Sequence, residues 1–369
     1  ATLLSLFSPI YIFLGVEPLL NNVTFALILT LSFYLILYLS KFLTLLVSEN
    51  LSQNIGFKGI IWLSALPFIG FVVTLIYSSQ IPYLYLASAV LWGIHAAFYW
   101  WGYNGYFVKT AQGSHFGEAI GEVHFFETAA GILAPFLGAV ALFLFGFKIV
   151  FLFSAILFLL SLVFLGKEHD KRQKHDIKFG EVIKLFVNHK SILLAYAGVG
   201  GEAVLYSSAW PLFLYLFYKH LVSLGVVVSL AALFAAIFGI AVGRFVDRYG
   251  ERKIIQLGLP LLSLSSALKF IVRNSTAFVI ADSLRNFGER MVELPLTELT
   301  FKKAIEGFSA RAIMFREVAL LVGSILAILS LAIVLYFGGD LGLSFILGSV
   351  LGAFPVVAIL KHEIYDKDR

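Results

Sequence analysis

The sequence has no cysteine, which excludes disulfides, thiolate metal sites and cysteine nucleophiles. Charge is scarce too. Only 13% of the residues are Asp, Glu, Lys or Arg, against about 25% in an average soluble domain. A soluble globule of 369 residues could not cover its surface with so few charges, so a soluble enzyme is excluded. No Gly-rich phosphate loop ending in Lys occurs, which argues against ATP-driven work. His115 and His124 have no partner at metal-ligand spacing, and neither a metal nor another cofactor is expected. No nucleophile–base pairing suggests an enzyme within the membrane. What abounds is apolar: 60% of residues are hydrophobic, Phe occurs 37 times and the mean hydropathy is +0.93. Lipid-facing helices with aromatic rings at the interface have this composition. The net charge of +5 and pI near 9.1 then reflect basic loops on one membrane face, not nucleic-acid binding.

A bilayer-spanning helix needs about 20 mostly apolar residues, and the chain divides into twelve such stretches. They are expected at 1–18, 23–47, 59–77, 82–104, 118–145, 147–165, 191–218, 222–245, 253–272, 275–297, 311–337 and 340–361. Continuous apolar runs such as Ile149 to Leu165 favour helices over a barrel, whose strands would alternate. The first stretch is short and begins at Ala1, which reads as a missing N-terminus and not as a signal peptide.

Loops after even-numbered spans, with the C-terminal tail, hold 19 of the 27 basic residues. The opposite loops hold four: Lys148, Lys219, Lys269 and Arg273. By the positive-inside rule both termini face the cytoplasm of a cell (inner or plasma) membrane. The longest polar stretch lies halfway, and its apolar residues Phe179, Val182, Ile183, Leu185 and Phe186 suggest an amphipathic helix on the membrane surface. The expected organisation is a six-helix bundle over 1–165, a linker over 166–190, and a second bundle with a short tail over 191–369.

The halves repeat. Ser52 to Ile61, after span two, aligns with Val246 to Ile255 after span eight, and Phe125-Phe126-Glu127 aligns with Met314-Phe315-Arg316-Glu317. The second offset, 190 residues, sets His95, Tyr99 and Tyr103 of span four opposite Arg285, Glu289 and Glu293 of span ten. Parallel six-helix repeats about an axis normal to the membrane are a transporter architecture with its site between the halves.

Two motifs carry a family resemblance. Gly243-Arg-Phe-Val-Asp247-Arg248-Tyr-Gly250-Glu-Arg252-Lys253 resembles the Gly-x-x-x-Asp-Arg-x-Gly-x-Arg-Lys loop of the major facilitator superfamily. Its glycines allow a tight turn, and Asp247 and its basic neighbours can latch adjoining helices. Gly131-Ile-Leu-Ala134-Pro135-Phe-Leu-Gly138-Ala139 resembles the span-five signature of that superfamily's antiporters, where small residues permit close packing and Pro135 bends the helix. The first half departs from the loop pattern, with Gln53-Asn54 in place of Asp-Arg and Glu49 in place of the first Gly. The resemblance implies an all-α membrane protein of twelve transmembrane helices in two pseudo-symmetric bundles. It also implies alternating access to a small-molecule site.

Ionisable residues inside hydrocarbon cost at least about 2.5 kcal/mol each on insertion scales, so each needs a reason. On span ten Asp282, Arg285, Glu289 and Glu293 lie on one helical face, bordered by Asn286 and Arg290. They read as the polar wall of a central cavity, or as a network closed by pairs such as Asp282–Arg285 and Glu289–Arg290. Glu202 follows Gly198, Gly200 and Gly201, which could loosen span seven and free backbone carbonyls. A carboxyl there suits a proton carrier, or else it is permanently paired to Arg285 or His95. Glu127 and Glu317 occupy matching places on spans five and eleven, and Lys41 lies at similar depth, so Lys41–Glu317 is a candidate gate pair or, equally, a static structural one. Tyr99, Trp100, Tyr103 and Asn104 could stack on or hydrogen-bond cargo, although aromatics near a helix end commonly form an interfacial belt.

The leading functional reading is a monomeric proton-coupled secondary transporter that exports a cationic or amphipathic solute. The cavity acids outnumber the bases, and the span-five motif leans toward antiport. Uptake or facilitated passage of a polar metabolite such as a sugar is a second reading. A non-transporting membrane sensor or assembly factor is a third.

Overall fold

The computed structural model describes residues 2–110, 116–166, 179–249, 251–303 and 309–360, and its regular structure there is entirely helical. Helix α1 (Thr2–Leu20) forms span one. The Asn22 side chain caps α2 (Val23–Leu63) by accepting from the Phe25 amide at 3.0 Å. Gly56, at φ 79° and ψ 169°, divides α2 into span two and the start of span three. The short helix α3 (Ala65–Tyr77) completes span three. Span four is α4 (Leu84–Thr110). Helix α5 (Phe116–Phe164) contains spans five and six, turned against each other at Gly146 with φ 75° and ψ 170°. This backbone region is essentially reserved for glycine. The linker contributes α6 (Phe179–Asn188).

The second half continues with α7 (Lys190–Tyr218), α8 (Leu221–Tyr249), α9 (Glu251–Ile271), α10 (Ser275–Lys303) and α11 (Ser309–Tyr336). Helices α12 (Leu343–Gly352) and α13 (Pro355–Leu360) share the last span, broken ahead of Pro355. Twelve spans result. By length and apolarity alone six described segments are fit to cross a bilayer, and two of them, Val23–Tyr77 and Phe126–Phe164, are double-length. Shorter apolar stretches fall in α8 and in α12 with α13. Helices α4 and α10 complete the twelve; their polar and aromatic stripes lower their hydropathy.

Within the first half α4 packs on α2 and α3. Within the second, α7 packs on α11 and α12, and α9 on α10 and α12. The halves meet through α1 with α7, α2 with α11, and α5 with α8. Close crossings use glycine. Gly323 lies against the Ala197 carbonyl, and Gly200 lies against the Leu320 backbone. The glycines of α7 therefore serve close contacts, Gly200 and Gly201 with α11 and Gly198 with Leu351 and Phe354 of the last span, and leave the helix continuous. One carbonyl does take a side-chain bond, since Gly200 O accepts from Ser324 Oγ at 2.9 Å. In the span-five motif the residues divide. Gly138 packs against Leu3, while Pro135 and Ala139 receive Gly225 of α8. Gly131 has nothing within 4 Å of where a side chain would start, so the close packing expected of it is absent.

Two apolar clusters join the halves on either side of the membrane midplane. On the linker side, Leu45, Phe57 and Trp101 pack with Val182 of α6 and Ile313, Met314 and Val318 of α11. On the far side, residues of α1, α2 and α5 pack with residues of α7 and α8. Helix α6 is less superficial than its composition suggests. Val182 is buried and the Phe186 ring packs at a tilt against Phe315, 5.0 Å away, while Ile183 and Val187, one residue on, face outward.

Candidate functional site

The polar stripe of α10 meets α7 and α9 deep in the second half. Arg285, 1% exposed, donates from Nε to Glu202 Oε1 at 2.9 Å and from NH2 to Glu202 Oε2 at 2.5 Å. Such a parallel fork is the strongest geometry available to an Arg–carboxylate pair. The same guanidinium also grips Glu289, at 2.7 and 2.9 Å, and lies 3.6 Å over the Tyr206 ring.

Asp282, fully buried, pairs with Lys269 of α9 at 2.5 Å and accepts from the Tyr206 hydroxyl at 3.2 Å. The Lys269 ammonium sits 4.6 Å from the Tyr206 ring centroid and 4.2 Å from that of Trp210. Aromatic faces of this kind replace part of the hydration a buried cation has lost. The expected pairs Asp282–Arg285 and Glu289–Arg290 are thus replaced. Asp282 takes Lys269, Glu289 takes Arg285, and Arg290 donates to Thr128 Oγ1 across the halves at 2.7 Å. Lys269 is not the loop residue its charge suggests. The signal is available in the sequence, because the expected ninth span, 253–272, already contains it. Tyr206 has no comparable signal.

Three carboxylates, Glu202, Asp282 and Glu289, here face two cations, Lys269 and Arg285. With all five groups ionised, this cluster of described residues is one negative charge in excess. Side-chain exposure climbs along the stripe, from 0% at Asp282 through 28% at Glu289 to 47% at Glu293. The stripe runs from a sealed end to an open one.

Glu293 approaches Arg316 of α11 at 3.7 Å. Arg316 NH1 lies 3.1 Å from Glu317, which also accepts from Lys41 Nζ of α2 at 3.0 Å and Asn104 Nδ2 of α4 at 3.2 Å. The Lys41–Glu317 pair expected from depth alone is therefore present, and the structure adds Asn104 and Arg316. Glu127, the counterpart of Glu317, is exposed on α5 within electrostatic range of Tyr99 and Tyr103.

The α4 candidates lie elsewhere. His95 Nδ1 is 3.0 Å from the Ser64 carbonyl, and its ring packs on Phe68, Phe158 and Tyr99. Tyr99 and Tyr103 stack nearly parallel, 6.0 Å apart, with Trp100 edge-on to both. These contacts stay within the first half. Among the described residues no hydrogen bond or ion pair joins His95, Tyr99 or Tyr103 to the acids of α7 and α10. Of the loop motif, Gly243, Asp247 and Arg248 belong to α8, but their side chains lie outside the described residues, as does Gly250. Arg252 donates to the Ile359 carbonyl of α13 at 3.3 Å.

A comparison with curated proteins finds no match. Among solved structures, the chain is similar to a single-residue mutant of the nucleoside transporter NupG, at 14% identity and a TM-score of 0.68. That alignment covers 98% of this chain and 96% of the other. It is also similar to a bacterial homologue of the iron transporter ferroportin in an inward-facing state, at 15% identity, TM-score 0.64 and coverage of 97% and 96%. The sequence model of the Major Facilitator Superfamily matches residues 1–288. With its twelve spans in two six-span bundles, the chain is an integral membrane transporter and belongs to the Major Facilitator Superfamily.

Proposed function

We propose that the chain is a proton-coupled secondary transporter that works by alternating access and exports a cationic or amphipathic small solute. The observation that carries this reading is the buried cluster of three carboxylates against two cations. An uncompensated carboxylate in a low-dielectric interior is costly. A proton or a cationic cargo group removes that cost, and the two compete for one place. Glu289 is the member that can load, being the partly exposed one; Glu202 and Asp282 are sealed. Competition of this kind lets a pH gradient drive exchange when the two facing states bind the competitors differently.

The bundles over 1–165 and 191–369 act as the rocking units, joined by the linker over 166–190. The protein acts as a monomer in a cell membrane, with both termini cytoplasmic. Lys41–Glu317 closes the linker side, and the loop of Gly243, Asp247, Arg248, Gly250 and Arg252 latches it. Uptake of a polar metabolite is the second reading, favoured by the parallel Tyr99–Tyr103 pair and by fold likeness to a nucleoside transporter.

A thermal-shift screen of solute classes at two pH values identifies cargo, since binding stabilises the native state. Proteoliposomes with an imposed pH gradient then test coupling. Glu289→Gln is expected to abolish gradient-driven accumulation while keeping cargo exchange. Wild-type accumulation in that variant would overturn the reading.

A further inference from the structure

Arg316 stands between two carboxylates of different character. Glu317 is 3% exposed and receives two donors from the first half, Lys41 and Asn104. Glu293 is 47% exposed and lies 3.7 Å from Arg316, just beyond hydrogen-bonding distance. Arg316 holds Glu317 at 3.1 Å and Thr297 of α10 at 3.3 Å. Its Nε is buried without a hydrogen-bond partner.

Among the described residues of this seam, Lys41 and Arg316 stand against Glu317 and Glu293, with Glu289 and Arg290 preceding Glu293 on α10, so the two cations are matched while Glu293 is ionised. When Glu293 is neutralised, two cations share one buried carboxylate. One of those cations belongs to each half. Their repulsion then acts across the linker-side seam, in surroundings where charge interactions are strong.

We propose that Arg316 is the positioning residue through which loading of the α10 acids loosens the linker-side closure. A proton or cationic group arriving at Glu293 leaves Arg316 and Lys41 competing for Glu317, and the α2–α11 contact weakens. The device rests on the reading of α10 as the loading stripe, and it specifies how that stripe reaches the seam.

The absence of native cysteine makes the test direct. Asn50→Cys on α2 and Gln256→Cys on α9, both exposed, carry spin labels on the linker side of the two halves. Glu293→Gln mimics the neutral state, and it is expected to raise the ratio of long to short distances about fivefold or more, the low end of typical coupling between sites. Arg316→Lys retains this response, and Arg316→Gln loses it. Lys41→Met lengthens the distances by itself.

Unchanged distances in Glu293→Gln would overturn the proposal. An equal shift in the Arg316→Gln background would do so too, because a purely structural arginine leaves the response intact. Transport by the same variants separates the two readings. Loss of the distance response with Glu289-dependent coupling intact removes the relay alone. Gradient-driven accumulation that survives Glu289→Gln removes the loading site.

Discussion

Helices α4 and α10 occupy equivalent places in the two halves, yet one carries an aromatic stripe and the other a charged one. On α4, His95, Tyr99, Tyr103 and Phe107 follow each other at four-residue spacing and stack in turn. On α10, Asp282, Arg285, Glu289 and Glu293 are cross-linked to α7, α9 and α11. The aromatic stripe needs only packing partners and finds them within its own half. The charged stripe must recruit counter-charges from neighbouring helices, because lipid provides none. On the proposed function, the pseudo-symmetric scaffold gives the charged stripe the loading task and leaves the aromatic stripe to packing.

The sharpest challenge to this contrast is to strand a buried charge. Arg285→Leu leaves Glu202 uncompensated and should cost about 3–5 kcal/mol of stability, read as reduced denaturant resistance in detergent. Lys269→Met strands Asp282 and should cost about as much. Combining it with Asp282→Leu should recover most of that loss, since replacing a buried pair by apolar residues is commonly neutral. If the double variant is no more stable than Lys269→Met alone, Asp282 has a further partner that the pairing described here lacks.

The proposed role of Glu289 lies in coupling rather than in stability. Glu289→Gln should change stability by less than Arg285→Leu does, because the side chain is partly exposed, while eliminating gradient-driven uptake into proteoliposomes. On the aromatic side the effects should be small. His95→Phe forfeits one hydrogen bond, worth about 1 kcal/mol, and should leave the pH dependence of transport unaltered. Tyr99→Phe should stay within about 0.5 kcal/mol. A pH profile displaced by His95→Phe would make the two halves partners in coupling and end the contrast.

Much of this plan is legible in the sequence. Span boundaries at 145 and 147 bracket Gly146, where the chain does reverse, because hydrophobic runs report helix length directly. The shared face of Asp282, Arg285, Glu289 and Glu293 also follows from a 3.6-residue period. Periodicity fixes angles within one helix but says nothing of its rotation against neighbours. Spacing within α10 therefore offers Asp282 to Arg285, whereas the folded chain binds Arg285 to Glu202, the pairing expected if Glu202 is a structural carboxylate. The repeat offset likewise sets His95 opposite Arg285, yet its ring turns toward Ser64. For Lys269, charge points to a loop and the surrounding apolar run points to a span; the run is the better guide.

The reversal at Gly146 also bears on how the protein is made. Spans five and six meet at a single residue, with no hydrophilic loop between them for the insertion machinery to carry across alone. The expected mode of insertion is therefore as a helical hairpin, with spans five and six entering the bilayer together. Substitution of Gly146 by any residue with a Cβ forces strain of about 1–3 kcal/mol at the joint, though the space around it is empty. The defect would surface during biogenesis, as a nascent chain halted with one arm of the hairpin outside the lipid.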